Sequence, residues 1–373
     1  MKIGLITYHS AYNFGSVLQA YATQEAIKSL GHDVEIINYR MQSQKNFYSL
    51  FPHGLGIKTY LNYGLALSTL AARKERQAKY EKAIANMFSL SKEFAEPSEA
   101  VQFADAYDVY VSGSDQIWNR ESQELKDVEW RKYMSPYLLE FTERKKISYA
   151  SSIAKMTDEN LMRIREALLR FDHIAMREGS SAEKIAKLVG NPVSRVLDPT
   201  LLLHSDDWNR LIGNWENRYT TGKYIFYYSL KGVRGLNKDI AEVKKLSKKL
   251  NLPVVTIAPL AFYLPSKNII NAADACVEDF LGLIKNAEFI ITNSYHGTLF
   301  SANFNKNFYS LQSRPGSNMR VEEVADLLGF ADRVVYDWSS IDINNQFSYD
   351  VVNQRREEQV EKSMEYLKQS ISN

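Results

Sequence analysis

The sequence contains a single cysteine, Cys276. No disulfide framework can form within the chain, and a reducing compartment suits it. It has no C-x-x-C pair and no His/Cys cluster at metal-ligand spacing, which argues against a structural zinc. No run of about 20 apolar residues occurs, so no membrane-spanning helix is expected. The opening MKIGLITYHS carries one lysine and a short apolar run broken by His9. That is neither the apolar core nor the small-residue cleavage site of a secretory signal, and a cytoplasmic location is expected. Charge of one sign is also missing. Lys and Arg total 46 against 44 Asp and Glu, a formal net charge of +2. With no long basic run, nucleic acid is not an expected partner.

At 373 residues, 45% apolar and 24% charged, the chain fits a globular protein of two domains. Its 23 tyrosines suit aromatic-lined clefts without saying what binds there.

Apolar strand-like runs alternate with helical periodicity along most of the chain. Strands are expected at 2–8, 34–39, 108–112, 146–150 and 173–176, with helices at 17–30, 158–170 and 181–189 between them. The alternation restarts after His204–Asp206, with strands at 224–229, 253–258, 288–291, 308–311 and 333–336. Residues 41–100 break the pattern. Leu55–Leu70 is apolar with aromatics, and Arg73, Lys74, Arg76, Lys79 and Lys82 follow closely. This stretch reads either as a helical insertion with a solvated face or as a surface resting peripherally on anionic lipid. A final helix, roughly 350–371, is long enough to cross back to the first domain. The expectation is an α/β fold of two Rossmann-like domains facing a central cleft, a GT-B-like architecture. The first domain takes 1–204 with the 41–100 insertion, plus 348–373; the second takes 205–347.

The chemistry concentrates where strands run into polar, glycine-bearing turns, the carboxyl edge of a parallel sheet. The sharpest example is Glu288–Phe300, EFIITNSYHGTLF. A buried strand gives way to a polar turn with His296 at its tip, followed by Gly297 and an apolar helix. Histidine can act as acid or base near neutral pH. The helix start offers backbone N–H groups to an anion, and Gly297 removes a Cβ that would keep a ligand off the backbone. The alternative is that His296 caps the helix or fills a polar gap.

Asn13, Gly15 and Ser16 sit at another helix start after a strand, without the G-x-G-x-x-G dinucleotide fingerprint. Ser114, Asp115 and Trp118 follow the 108–112 strand. Asp115 can accept from a hydroxyl, and Trp118 can stack on a sugar or anchor the core. Arg177 ends the 173–176 strand. Its planar fork suits a phosphate or carboxylate, or else it pairs with Glu178 or a neighbour. The loop after the 308–311 strand carries Arg314 and leads to Arg320.

Taken together, Asn13–Tyr21, Gly113–Asn119, Ser148–Ser152, Arg177-Glu178, Val196–Thr200 and Ser294–Gly297 resemble, in order, the motifs of the polysaccharide pyruvyl transferase family. The resemblance covers most of residues 1–330. It implies a GT-B-like enzyme moving a pyruvyl group from phosphoenolpyruvate onto sugar hydroxyls, usually as a cyclic ketal. The acceptor would be a lipid- or nucleotide-linked sugar or a polymer of the cell surface. Phosphoenolpyruvate would be the co-substrate, and neither cofactor nor metal is required. His296 takes the acid/base role. Arg177 and Gly297 help hold the donor, and the Asn13 and Ser114–Trp118 loops hold the acceptor. Many family members read Ser-Arg-x-His at the catalytic turn, whereas this chain has Ser294 at the arginine position. Arg314 or Arg320 is expected to supply that charge from the following loop. Two other readings stay open. One is a glycosyltransferase using a nucleotide sugar, with Glu278 and Asp279 toward a ribose. The other is a non-catalytic relative that binds a phosphorylated sugar.

Overall fold

The computed structural model describes the chain except residues 51–69, 126–127, 232, 258–267, 346 and 373, and gives the backbone alone at 123 and 233–237. The apolar Leu55–Leu70 stretch lies almost wholly outside the described residues. The described chain divides into two compact units. One comprises the residues up to Leu50, Glu81–Leu202 and the chain from Glu358 on; the other comprises Leu70–Tyr80 and Leu203–Glu357. The helix Leu70–Met87 is therefore shared, where the sequence suggests an insertion in the first domain alone.

The first unit is built on six parallel strands: β1 (Lys2–Ile6), β2 (Asp33–Ile36), β3 (Val109–Asp115), β4 (Lys145–Ser151), β5 (Ala175–Met176) and β6 (Ser194–Arg195). They lie in the order β2-β1-β3-β4-β5-β6. Leu5 pairs with Ile36 on one side and Val111 on the other. β3 is buried at every position and β1 at all but Lys2, so β1 and the first half of β3, Val109-Tyr110-Val111, are apolar without alternation, while β3 ends in the buried polar Ser112-Gly113-Ser114-Asp115. After β1 the chain winds to β2 on one side, then returns to build β3 on the other. The carboxyl ends of β1 and β3 thus form a topological switch point.

The second unit repeats the principle with β7 (Ile225–Tyr228), β8 (Val254–Thr256), β9 (Ile269–Asn271), β10 (Phe289–Thr292), β11 (Phe308–Leu311) and β12 (Val334–Val335). Their order, β12-β11-β10-β7-β8-β9, is the Rossmann order, and its switch point lies between β7 and β10. β9 is too short to show a pattern in sequence.

Local chemistry moves several boundaries. The first long helix runs Phe14–Ser29, starting before Val17 because Asn13 Oδ1 accepts the Gly15 N–H at 2.9 Å and the Ser16 N–H at 3.4 Å. The helix expected over 158–170 is two short ones, Asp158–Met162 and Arg165–Leu168. The last helix runs Asp350–Ser372, and its part from Glu358 on belongs to the first unit. Ser363 Oγ accepts the Leu197 N–H at 2.9 Å, and Tyr366 donates to the Ser148 carbonyl at 2.9 Å.

Candidate functional site

His296 stands at the switch point of the second unit. β10 ends at Thr292, and the helix Tyr295–Asn303 begins three residues later. Ser294 is its N-cap, with Oγ accepting the Gly297 N–H at 3.2 Å and the carbonyl accepting Thr298 Oγ1 at 3.0 Å. His296 is therefore the second residue of a helix rather than the tip of an open turn, and only 9% of its surface is exposed. Its ring meets Tyr295 edge-on at 5.2 Å. Across the switch point, Asn293 Oδ1 accepts the Leu230 N–H at 2.7 Å, locking the end of β10 to the end of β7.

Gly297 is needed for a reason the sequence does not show. A Cβ there would come within 2.5 Å of Thr292 Oγ1 and 3.2 Å of the Tyr228 ring. The missing side chain lets helix, strand end and Tyr228 close on each other, so the freed space is filled by protein and not left for a ligand.

The loop after β11 is anchored beside this turn. Gln312 Nε2 donates to Ser310 Oγ at 2.7 Å, and Asn318 Nδ2 donates to Gln312 Oε1 at 3.3 Å. Arg320 places its guanidinium 5.3 Å from the centre of the Tyr295 ring, one residue from His296. Arg314 is exposed on the same loop. Thus His296, Ser294, Gly297 and Arg320 are brought together, with Arg314 nearby in the chain and open to solvent.

Arg177 occupies the first unit, and its placement corrects the expectation of an open anion clamp. Its side chain is 0% exposed, and its fork is occupied by Asp198 at 3.0 Å, Glu178 at 2.9 Å and Asp115 at 3.4 Å. A guanidinium can lose its hydration only where carboxylates replace the water. The ion-pair reading is the one the structure shows, in the interior rather than at the surface.

The other first-unit residues line up along the β1/β3 switch point. Ser16 Oγ donates to Asp115 Oδ2 at 2.8 Å, joining the Asn13–Gly15–Ser16 helix start to the end of β3. Asp115 is one bond from Arg177 on one side and one from Ser16 on the other. Ser114 and Trp118 depart from their expected acceptor roles. Ser114 is 0% exposed and donates to the Ala150 carbonyl. Trp118 is equally buried, its indole N–H on the Tyr137 carbonyl at 3.1 Å and its ring edge-on to Phe171. Both are interior anchors. Gly113 has φ +132, and a Cβ there would lie 2.0 Å from the Tyr149 carbonyl oxygen, so glycine alone fits.

Glu124 was not legible as a site residue. It lies on a short 3₁₀ turn, Gln123–Leu125, and is buried. Burial pushes its carboxyl up to about 7, with the Asp115 charge adding to the rise and hydrogen bonds from its backbone, Ser122 and Tyr48 opposing it. In sequence it is one acid in the charged run Arg120–Lys126.

For the remaining candidates, Asp279 is engaged by the Cys276 N–H, the Trp215 indole and Arg218, which removes it as a ribose acceptor. Of the basic residues on the helix Leu70–Met87, Lys79 pairs with Asp274 and Glu75, each at 2.8 Å, and Arg76 lies over the Tyr80 ring. Among the described residues no helix is long and apolar enough to cross a membrane, and no group of three His, Cys, Asp or Glu side chains is placed to hold a metal ion.

No curated protein sequence matches the chain significantly. Solved structures share its fold at low identity. UDP-GlcNAc 2-epimerase from Methanocaldococcus jannaschii, in complex with UDP-GlcNAc and UDP, is 9% identical, with a TM-score of 0.56 over 98% of this chain and 100% of its own. The S. aureus MnaA structure with UDP is 11% identical, with a TM-score of 0.52 over 97% and 90%. These likenesses identify the fold as the GT-B type of paired Rossmann-like units. The family model for polysaccharide pyruvyl transferase matches residues 13–314. That span takes in the Asn13 helix cap, the Gly113–Asp115 turn, Arg177 and the His296 helix, and the chain belongs to the polysaccharide pyruvyl transferase family.

Proposed function

We propose that the protein transfers a pyruvyl group from phosphoenolpyruvate to the hydroxyls of a sugar, usually as a ketal, in building a cell-surface or extracellular polysaccharide. The observation that carries this reading is His296 in the first turn of a helix, at the switch point of a Rossmann-type sheet, within the matched family span.

The reaction needs a proton delivered to the methylene carbon of phosphoenolpyruvate. The neighbouring C2 then becomes electrophilic, a sugar hydroxyl adds to it, and phosphate departs. A second hydroxyl closes the ketal. His296 is the group for the proton. The donor brings a phosphate and a carboxylate, which call for cations and N–H groups. With Arg177 held by carboxylates, Arg320 and Arg314 take this role in place of an arginine at Ser294. The helix start at Ser294 adds its dipole.

The test is direct. Incubation with phosphoenolpyruvate and candidate sugars, followed by mass spectrometry, should show pyruvate joined to sugar with one phosphate released per pyruvyl group. Label carried over instead from a nucleotide sugar would replace this reading with glycosyl transfer.

A further inference from the structure

A chain of side-chain hydrogen bonds runs through the second unit from the His296 turn to the start of the Arg320 helix. Asn318 Nδ2 donates to Gln312 Oε1 at 3.3 Å, and Gln312 Nε2 donates to Ser310 Oγ at 2.7 Å. Ser310 Oγ and Thr298 Oγ1 lie 2.9 Å apart, and Thr298 Oγ1 donates to the Ser294 carbonyl at 3.0 Å. A hydroxyl has one proton to give. Thr298 spends its own on a carbonyl that can only accept, so between the two hydroxyls Ser310 is the donor. Every link then points the same way, from Asn318 to Ser294, and each hydroxyl gives one bond to the chain and takes one from it.

Ser294, Thr298, Ser310 and Gln312 are all buried. Apolar side chains would fill that space without exposing the fold to the cost of an unpaired polar group. What the polar chain adds is a fixed relation between its ends. Gln312 is the member that spans the gap. Its backbone N–H is held by the Val335 carbonyl at 2.8 Å, one residue past the end of β11, so its side chain starts from a fixed point. Its amide nitrogen also lies 3.5 Å from the Asn293 carbonyl, one residue past the end of β10.

Asn318 makes its tie at a local cost. It is the N-cap of the helix Met319–Leu328, yet its side chain makes no capping hydrogen bond. Asparagine is among the best residues for that bond, which is worth about 1 kcal/mol. Turned to Gln312 instead, it fixes where the helix starts, and with it Arg320, two residues on. The preceding loop is tied to the same helix, because the Glu322 carboxylate accepts the Gly316 N–H at 2.8 Å and 3.1 Å.

We propose that Gln312 is a positioning residue for the donor site: through Ser310 and Thr298 on one side and Asn318 on the other, it holds the His296 turn and the Arg320 cation as one body. The proposal rests on the pyruvyl-transfer reading, in which His296 gives the proton and Arg320 grips an acidic group of phosphoenolpyruvate. A guanidinium held out of place keeps its charge but loses the planar, two-point grip that sets arginine apart from a point charge.

The experiment uses the full chain with Asn318→Ser, Gln312→Leu and Arg320→Ala, and with Asn318→Ser combined with each of the other two. Serine still caps a helix but is too short to reach Gln312. Leucine keeps the bulk of Gln312 and removes its side-chain hydrogen bonds. Calorimetric titration with phosphoenolpyruvate reads binding, phosphate release in the presence of an accepted sugar reads KM and kcat, and unfolding midpoints read stability. Asn318→Ser should keep its unfolding midpoint and bind phosphoenolpyruvate about tenfold more weakly, with the loss in KM rather than kcat. Added to Arg320→Ala or to Gln312→Leu, it should weaken binding no further, since members of one tie are not additive. Unchanged binding in Asn318→Ser beside a loss in Arg320→Ala, or full additivity in the combined variants, overturns the positioning role and leaves the pyruvyl reading standing. Neither phosphoenolpyruvate binding nor phosphate release by the wild-type chain retires that reading, and the positioning role with it.

Discussion

Arg177 and Asp198 form an ion pair at 3.0 Å with both side chains fully removed from solvent. Glu178 and Asp115 complete the ring of acids around the same guanidinium. The arginine is thereby a strut joining the ends of β3 and β5 to the Asp198 turn, which itself caps Thr200.

Removing that strut should unfold before it merely weakens. Arg177→Met leaves three buried or nearly buried carboxylates without their cation, at a cost of roughly 3–5 kcal/mol. Chemical denaturation at neutral pH reads it. A variant of wild-type stability with weakened phosphoenolpyruvate binding would instead restore Arg177 as a donor clamp.

Gly297→Ala should destabilise by about 1–3 kcal/mol, since the new methyl cannot enter the gap between Thr292 and Tyr228 without moving one of them. The same shift displaces His296, so turnover should fall with stability. An unchanged unfolding midpoint would show that the gap yields.

These positions show what was legible in the sequence. Apolar runs such as Ile3–Ile6 of β1, Val109–Val111 of β3 and Phe289–Ile291 of β10, and the turns ending them, announce an α/β fold, because burial on both faces writes itself as a continuous apolar run. Helix starts were less clear, since the helices capped by Asn13 and Ser294 begin three residues before the apolar periodicity does. Side-chain direction was not legible at all. Trp118 and Ser114 follow a strand end as a ligand loop would, yet both turn inward. Glu124 looks like any acid in a charged run until the Gln42–Phe47 helix is seen to cover it. The arginine missing at Ser294 was visible, and Arg320 beside Tyr295 is a placement that only folding reveals.

Glu124 should leave a mark on stability against pH. Its carboxyl moves from the ordinary 4.5 up to about 7 on folding. Below about pH 4.5 it is protonated in both states. As pH rises through the window to about 7, the unfolded chain gives up its proton first, so stability falls; above that the penalty is constant. Glu124→Gln removes the penalty. Compared with pH 4, the variant should gain on the order of 3 kcal/mol on wild type by pH 8. Parallel stability curves for the two proteins would mean the carboxyl is not held in this environment.

Cys276 is expected to be chemically quiet. It is 3% exposed, and burial pushes its thiol up to about 12, with the nearby Glu278 adding to the rise. The thiolate is the reactive form. Alkylation at pH 8 should therefore proceed at the rate of unfolding, and fast stoichiometric labelling of the native protein would contradict this.

The most direct measurement follows phosphate released from phosphoenolpyruvate in the presence of an accepted sugar, comparing the protein with His296→Ala and His296→Gln. Both variants should fold, as judged by their unfolding transitions. With His296 the proton donor, release should fall by roughly two orders of magnitude or more in each, with pyruvylated sugar falling in step. Near-normal release from a folded variant would contradict the role of His296 and with it the site at the β7/β10 switch point.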